Sequence, residues 1–128
     1  MATSKSKKAE AVQAEPQEVI TTYKGFNKDW ICRDFQYEVG KSYEHEGQAV
    51  ACNSGFHACE YPLHVLGYYK AAHSRFAIVE QSGQLSRHDG DSKVASSRIT
   101  VKAEIDLAGL VKAAIKYMKD VLGHKRCV

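Results

Sequence analysis

Long apolar runs are missing from this chain. No stretch approaches the roughly 18 consecutive apolar residues that cross a bilayer, and the opening MATSKSKK lacks the apolar core of a secretory signal. A soluble, cytosolic protein is therefore the expectation. Cysteine is sparse: Cys32, Cys52, Cys59 and Cys127 are too few and too irregularly spaced for a disulfide scaffold, and they read as free thiols unless a metal claims some of them. Charge of one sign is scarce as well. Eighteen Lys and Arg against fifteen Asp and Glu leave a net charge of +3, which permits an acidic partner without the lopsided charge of a dedicated nucleic-acid domain. Aromatic residues are absent from residues 1–18, MATSKSKKAEAVQAEPQE, which cannot bury enough surface to offset the entropy of ordering. Residues 1–18 are expected to be a disordered tail, and 19–128 one small domain, since 128 residues at 44% hydrophobic content close a single modest core.

What the chain does have is a strand-like pattern from Val19 onward. VITTYKGF is β-branched and aromatic up to Gly25, and ICRDFQYEVG alternates Cys32, Asp34 and Gln36 against Arg33, Phe35 and Tyr37, so both read as strands. KSYEHEG and QAVACNSG read as a short hairpin around Glu46 and Gly47, followed by a turn at Asn53, Ser54 and Gly55. GFHACEYPLHVLGYY then looks like a strand that delivers His57 to a helix opened by Pro62, with Val65, Leu66 and Tyr69 on one face. RFAIVEQSG is apolar on both faces and predicts a central strand. The polar, Gly-containing residues 82–96 read as a long loop, and SRITVKAEI as a half-buried strand. Asp106 is placed to cap a last helix. Its apolar face would comprise Leu107, Leu110, Val111, Ala114, Ile115, Met118, Val121 and Leu122, with Gly123 as the stop. The predicted fold is α+β: a mostly antiparallel sheet of about six strands, with a split sheet as a variant, and two helices, the second C-terminal.

The segments YKGF, CRDFQYEVGKSYEHEG, GFHACEYPLHVLGYY and RFAIVEQSGQLSRHDGDSKVASSRITVKAEI, spanning Tyr23 to Glu104, resemble a domain of unknown function found in bacteriophage and prophage proteins. That resemblance implies a viral origin and an accessory role, without a reaction. A weaker resemblance is to the ADP-ribosyltransferase fold, which implies NAD as cofactor. Tyr23, His57, Tyr68 and a glutamate at Glu80 or Glu104 fall in that fold's order; the first strand departs from it by carrying Lys24 in place of a His or Arg.

The candidate sites each have a plain alternative. His57 either faces a cleft or hydrogen-bonds a backbone group at the core's edge. Cys52, His57 and Cys59, with Cys32 or His64, hold S and N ligands of the kind zinc takes, but the Cys-x4-His-x-Cys spacing is no recognised zinc motif and buried cysteines commonly act as small hydrophobes. Cys59 with His57 or His64 makes a thiolate nucleophile conceivable if a helix N-terminus stabilises it; no oxyanion hole is marked. Arg87, Lys93 and Arg98 either clamp a phosphate or an acidic patch, or belong to a solvated loop. Lys112, Lys116 and Lys119 recur at helical spacing, either as a solvated face or as an acidic-partner contact. Tyr61, His64 and Tyr68 complete the binding set, tyrosine being enriched at interfaces.

With no complete catalytic set, the sequence favours binding over catalysis. The expectation is a phage accessory protein in the host cytoplasm that takes no cofactor and no metal. It would bind a host protein or protein–nucleic-acid complex and interfere with a host process or with anti-phage defence, in the manner of an anti-CRISPR inhibitor of a nucleic-acid- or nucleotide-handling host protein. The alternative is an NAD-dependent ADP-ribosyltransferase-like enzyme.

Overall fold

Alternating apolar and polar residues put much of this chain into strands. The computed structural model describes residues 18–46, 55–87 and 90–126. Its elements run β1 (Ile20–Phe26), β2 (Ile31–Cys32), β3 (Phe35–Gln36), β4 (Ser42–Glu44), β5 (Phe56–Cys59), 3-10 helices at Pro62–Gly67 and Ala71–His73, β6 (Arg75–Arg87), β7 (Lys93–Ile105) and α1 (Leu107–Arg126). The fold is α+β, as expected, with five strands in the main sheet and two in a separate hairpin in place of about six in one sheet. The described strand pairings are antiparallel. In the order β4-β7-β5-β1-β6, β6 pairs again with β7, so β1, β6, β7 and β5 close into a ring.

The central device is the β6–β7 hairpin, two strands of 13 residues each. It corrects the expected loop at 82–96: β6 continues to Arg87 and β7 begins at Lys93, with Arg87 opposite Val94. Strands this long bend in order to close a ring, and the register shifts between Ile78 and Val79 and between Ser82 and Leu85 supply the bends. Gly83 sits in the second shift at φ +81°, where an added Cβ would run into Ser97 Oγ. Of the polar residues that suggest a loop, Ser96 is buried inside the ring, where Gln81 on the facing strand meets it. Gln81, fully buried, donates from Nε2 to the Phe56 and Val94 carbonyls, both at 3.0 Å, and to Ser96 Oγ at 3.1 Å, while Thr22 Oγ1 donates to its Oε1 at 2.8 Å.

The expected strand over 31–40 is instead the tight β2–β3 hairpin. Arg33 (φ 53°) and Asp34 (φ 68°) both occupy the left-handed region that a two-residue reversal requires. The hairpin folds over one mouth of the ring and brings aromatic residues with it. Tyr37 lies edge-on to Phe26 at 5.2 Å, Trp30 packs at 5.0 Å from Phe26, and the Arg75 guanidinium covers Trp30 at 5.3 Å. Inside the ring, Phe26, Phe56, Ala58, Ala77, Val79, Ile99 and Val101 form the main core.

A second, smaller core lies outside the ring, where Cys59, Val65, Phe76 and Leu110 hold the 3-10 segment and α1 against the sheet. The helix expected from Pro62 is this 3-10 segment, which ends at Gly67. Asp106 caps α1 as expected, its Oδ1 accepting the Gly109 N–H at 2.8 Å. The expected apolar face of α1 is only partly covered. Leu110 and Ala114 are buried, whereas Leu107, Val111, Ile115, Met118 and Val121 are exposed by 38–52%. The side chain of Leu122, like the Gly47 to Ser54 part of the expected hairpin and the tail before Glu18, lies outside the described residues.

Candidate functional site

Ring closure is weakest between β1 and β5, which share a single rung, Tyr23 opposite Cys59. Beyond it the two strands part, and a pocket of about 400 Å³ opens at this seam. Lys24, Arg33 and Lys93 bring positive charge to it, Tyr23, Tyr68 and Tyr69 supply aromatic wall, and Cys32, His57 and Cys59 line it from β2 and β5. Gly25 is required here because the Tyr69 ring lies directly on it: an added Cβ would stand 2.6 Å from Tyr69 Cδ2. Tyr69 is anchored in turn by its hydroxyl, which donates to Cys32 Sγ at 2.9 Å.

Lys24 is the unusual residue of the site. It is 4% exposed, on the strand face that also buries Thr22 and Phe26. Its ammonium donates to the His57 carbonyl oxygen at 2.6 Å and lies 5.3 Å from the Tyr37 ring and 5.8 Å from the Phe26 ring. Burial pushes the ammonium below its ordinary range; the nearby Cys32 and Cys59 oppose that shift and Arg33 adds to it. The sequence marks Lys24 only by parity, a lysine two residues from Thr22 and two from Phe26 on an otherwise inward face, a signal too weak to single it out as a site residue.

Cys59 is only 2% exposed, and burial pushes its thiol up to about 12, with Asp91 adding to the shift and Lys93 and Lys24 opposing it. That is the reverse of what a thiolate nucleophile needs, so Cys59 acts as a small hydrophobe of the outer core. Burial likewise raises Tyr23, against the pull of Lys116, and raises Tyr37 and Tyr69. Cys52 lies outside the described residues; among those described, no three His, Cys, Asp or Glu are grouped to hold a metal ion.

Of the NAD-related residues, Tyr23, His57 and Tyr68 meet in the pocket, whereas Glu80 and Glu104 do not line it. Glu80 stands 4.0 Å from Lys102, and Glu104 pairs with Arg75 at 3.3 Å. The binding set also divides. Arg87 pairs with Glu60 at 3.2 Å and Glu18 at 3.6 Å, and Arg98 with Glu44 at 3.2 Å, about 16 Å along β7 from Lys93 at ordinary strand rise. These three do not form one clamp. Lys93 sits 4.6 Å over the Tyr68 ring, whose hydroxyl donates to Asp91. His64 Nδ1 is within 2.8 Å of Ser92 Oγ. Tyr61 packs against His64 at 5.0 Å and Tyr117 at 5.5 Å, and its hydroxyl reaches Met118 Sδ at 3.7 Å, which carries the surface of the 3-10 segment onto α1. On α1, Lys112, Lys116 and Lys119 are exposed, with Lys116 3.1 Å from Asp120. At 100° per residue they flank the exposed Val111, Ile115 and Met118 on the side away from Leu110 and Ala114.

These features define a small α+β domain with a ring-closed antiparallel sheet, a pocket at the ring's seam and a half-covered C-terminal helix. Residues 20–113 match the model of a domain of unknown function, DUF7666, and the chain belongs to that family. No curated protein and no solved structure matches it. No helix among the described residues is long and apolar enough to cross a membrane.

Proposed function

We propose that this domain is a bacteriophage accessory protein that acts by binding, occupying the acidic, partly apolar surface of a nucleic-acid- or nucleotide-handling host protein in the host cytoplasm and so blunting an anti-phage defence. The phage origin rests on the resemblance carried by GFHACEYPLHVLGYY. The observation that carries the binding role is the outer face of α1, where Leu107, Val111, Ile115 and Met118 stay exposed beside Lys112, Lys116 and Lys119. Apolar side chains left in water along one line of a helix mark a contact surface, and a lysine border selects an acidic counterpart. Tyr61, packed on Tyr117 and Met118, extends that surface.

The test compares host-lysate pull-downs by the wild type, a Val111→Ser/Ile115→Ser/Met118→Ser variant and a Lys112→Glu/Lys116→Glu/Lys119→Glu variant. The same acidic partner should be lost by both variants and then bind purified wild type directly. Charge reversal that leaves every captured protein in place sinks the reading.

The NAD-dependent ADP-ribosyltransferase-like alternative draws on one observation, the meeting of Tyr23, His57 and Tyr68 in the seam pocket. It would need a carboxylate there, and Glu80 and Glu104 stand elsewhere in ion pairs. Calorimetry with NAD, and mass spectrometry for turnover, on wild type, His57→Ala and Glu104→Ala decide it: NAD that does not bind removes the enzyme.

A further inference from the structure

We propose that the seam pocket is a binding site for a small aromatic anion, a ring bearing a carboxylate or a phosphate monoester, whose charge pairs with Lys24. The site is separate from the outer face of α1 and does not rest on the reading given to that face.

Three independent features of the pocket converge on this ligand. The first is charge. Lys24, Arg33 and Lys93 line the pocket, and no Asp or Glu stands among its lining residues. Asp91, beside Lys93 in the chain, is held by the Tyr68 hydroxyl and by the backbone N–H of Lys93. A concave site with cations of one sign concentrates anions.

The second is the state of Lys24 itself. An ammonium has three N–H donors. The His57 carbonyl and Cys32 Sγ take two of them, and the Tyr37 and Phe26 rings lie alongside, but among the described residues Lys24 makes no ion pair with a carboxylate. A buried ammonium without a counter-ion is costly, so a site that holds one at the wall of an open pocket favours an anion that completes the pair. The third is shape. About 400 Å³ lies within the range of small-molecule pockets, and Tyr23, Tyr68 and Tyr69 with Val65 and Ala58 give it aromatic and apolar walls suited to a planar ring.

The experiment is titration calorimetry at neutral pH on the full chain. The probes are 4-hydroxybenzoate, phenyl phosphate, inorganic phosphate and the neutral 4-hydroxybenzamide. At least one of the two aromatic anions should bind with Kd below about 1 mM. Inorganic phosphate and the amide should each bind at least about 10-fold more weakly, the size of effect expected from losing the ring contacts or one charge-assisted hydrogen bond. The carboxylate and phosphate arms decide which anionic group the pocket takes. Lys24→Met should weaken the better anion by about 10-fold or more, and Ile115→Ser should leave it unchanged. Should Lys24→Met fail to fold, Arg33→Ala/Lys93→Ala replaces it and should weaken binding several-fold. Absence of binding by both aromatic anions, equal affinity for the neutral amide, or undiminished affinity in the Lys24 or rim variant overturns the proposal.

Discussion

The Lys24 ammonium donates to the His57 carbonyl oxygen across the parting strands β1 and β5, at 2.6 Å. Backbone pairing between these strands is confined to the Tyr23–Cys59 rung, and beyond it the Lys24 side chain links the two. The same lysine is thereby held inside the protein, which ties the closure of the sheet to the charge of the pocket.

That tie sets a pH dependence. The folded chain holds the Lys24 proton less tightly than its ordinary 10.5, so the unfolded chain binds more protons between the lowered value and 10.5, and stability rises with pH across that window. Cys59 works in the opposite sense. Raised from 9.0 to about 12, it contributes stability that is fully present below pH 9 and lost as pH climbs toward 12. Urea unfolding at a series of pH values should show wild type gaining stability relative to the Lys24→Met variant as pH rises toward 10.5, with the Cys59 loss entering both proteins above pH 9. Parallel profiles for the two proteins across the whole range would show that Lys24 is not perturbed.

Gln81 is predicted to be the most sensitive polar position. Gln81→Ala removes the donor shared by Phe56 O, Val94 O and Ser96 Oγ, and the partner of Thr22, all inside the ring. With a cost of about 1–3 kcal/mol for each buried group left unsatisfied, a loss of about 3 kcal/mol or more is expected in chemical denaturation. A loss below about 1 kcal/mol would mean that water or rearrangement replaces the network.

Gly25→Ala tests the wall of the pocket. The added methyl would meet the Tyr69 ring, so the ring must move and its hydroxyl leave Cys32. A destabilisation of about 1–3 kcal/mol is expected, with a changed near-ultraviolet tyrosine signal. An unchanged spectrum would place Tyr69 elsewhere in solution.

The two sides of α1 should answer differently to truncation. Leu110→Ala, in the outer core, is expected to cost about 2–5 kcal/mol. Ile115→Ser, at a position 52% exposed, should change stability by no more than about 0.5 kcal/mol while abolishing partner capture. If Ile115→Ser instead unfolds the domain, its side chain belongs to the core and not to a contact surface.

Cys59 should resist alkylation. With the thiol pushed up to about 12 and the side chain 2% exposed, iodoacetamide at pH 8 should leave it unmodified in the native protein and modify it in urea. Fast native labelling located at Cys59 by mass spectrometry would restore the nucleophile reading.

Elements governed by local periodicity were legible in the sequence. β1 and β5 follow the alternation of VITTYKGF and FHAC, and the start of α1 follows Asp106. What escaped was set by distant partners. Residues 82–96 look like a loop because Ser, Gly, Gln and Asp dominate them, yet Ser96 is buried by Gln81 across the sheet. Nothing in ICRDFQYEVG announces that Arg33 and Asp34 adopt positive φ, since neither is a glycine. Pro62 opened a helical segment as read, but it ends as a 3-10 turn at Gly67. Of the site, Tyr23, Cys32, His57, Cys59, Tyr68 and Lys93 are candidates on the sequence alone, and all six line the pocket. Lys24 enters it from β1, Arg33 from the β2–β3 turn and Tyr69 from the segment after the 3-10 helix, a meeting of distant segments that no local pattern encodes.

The ring also limits how anything can attach to this protein. A partner that recognises a sheet by lengthening it needs a free strand edge as template. Here β6 turns back onto β7, and among the described residues the sheet's remaining terminal strand is β4, three residues long. Backbone templating is therefore limited to β4 and to the edges of β1 and β5 that part at the seam. The same closure shields most strand edges from aggregation, and it leaves α1 and the seam as the surfaces that differ most from a plain sheet edge in shape and charge.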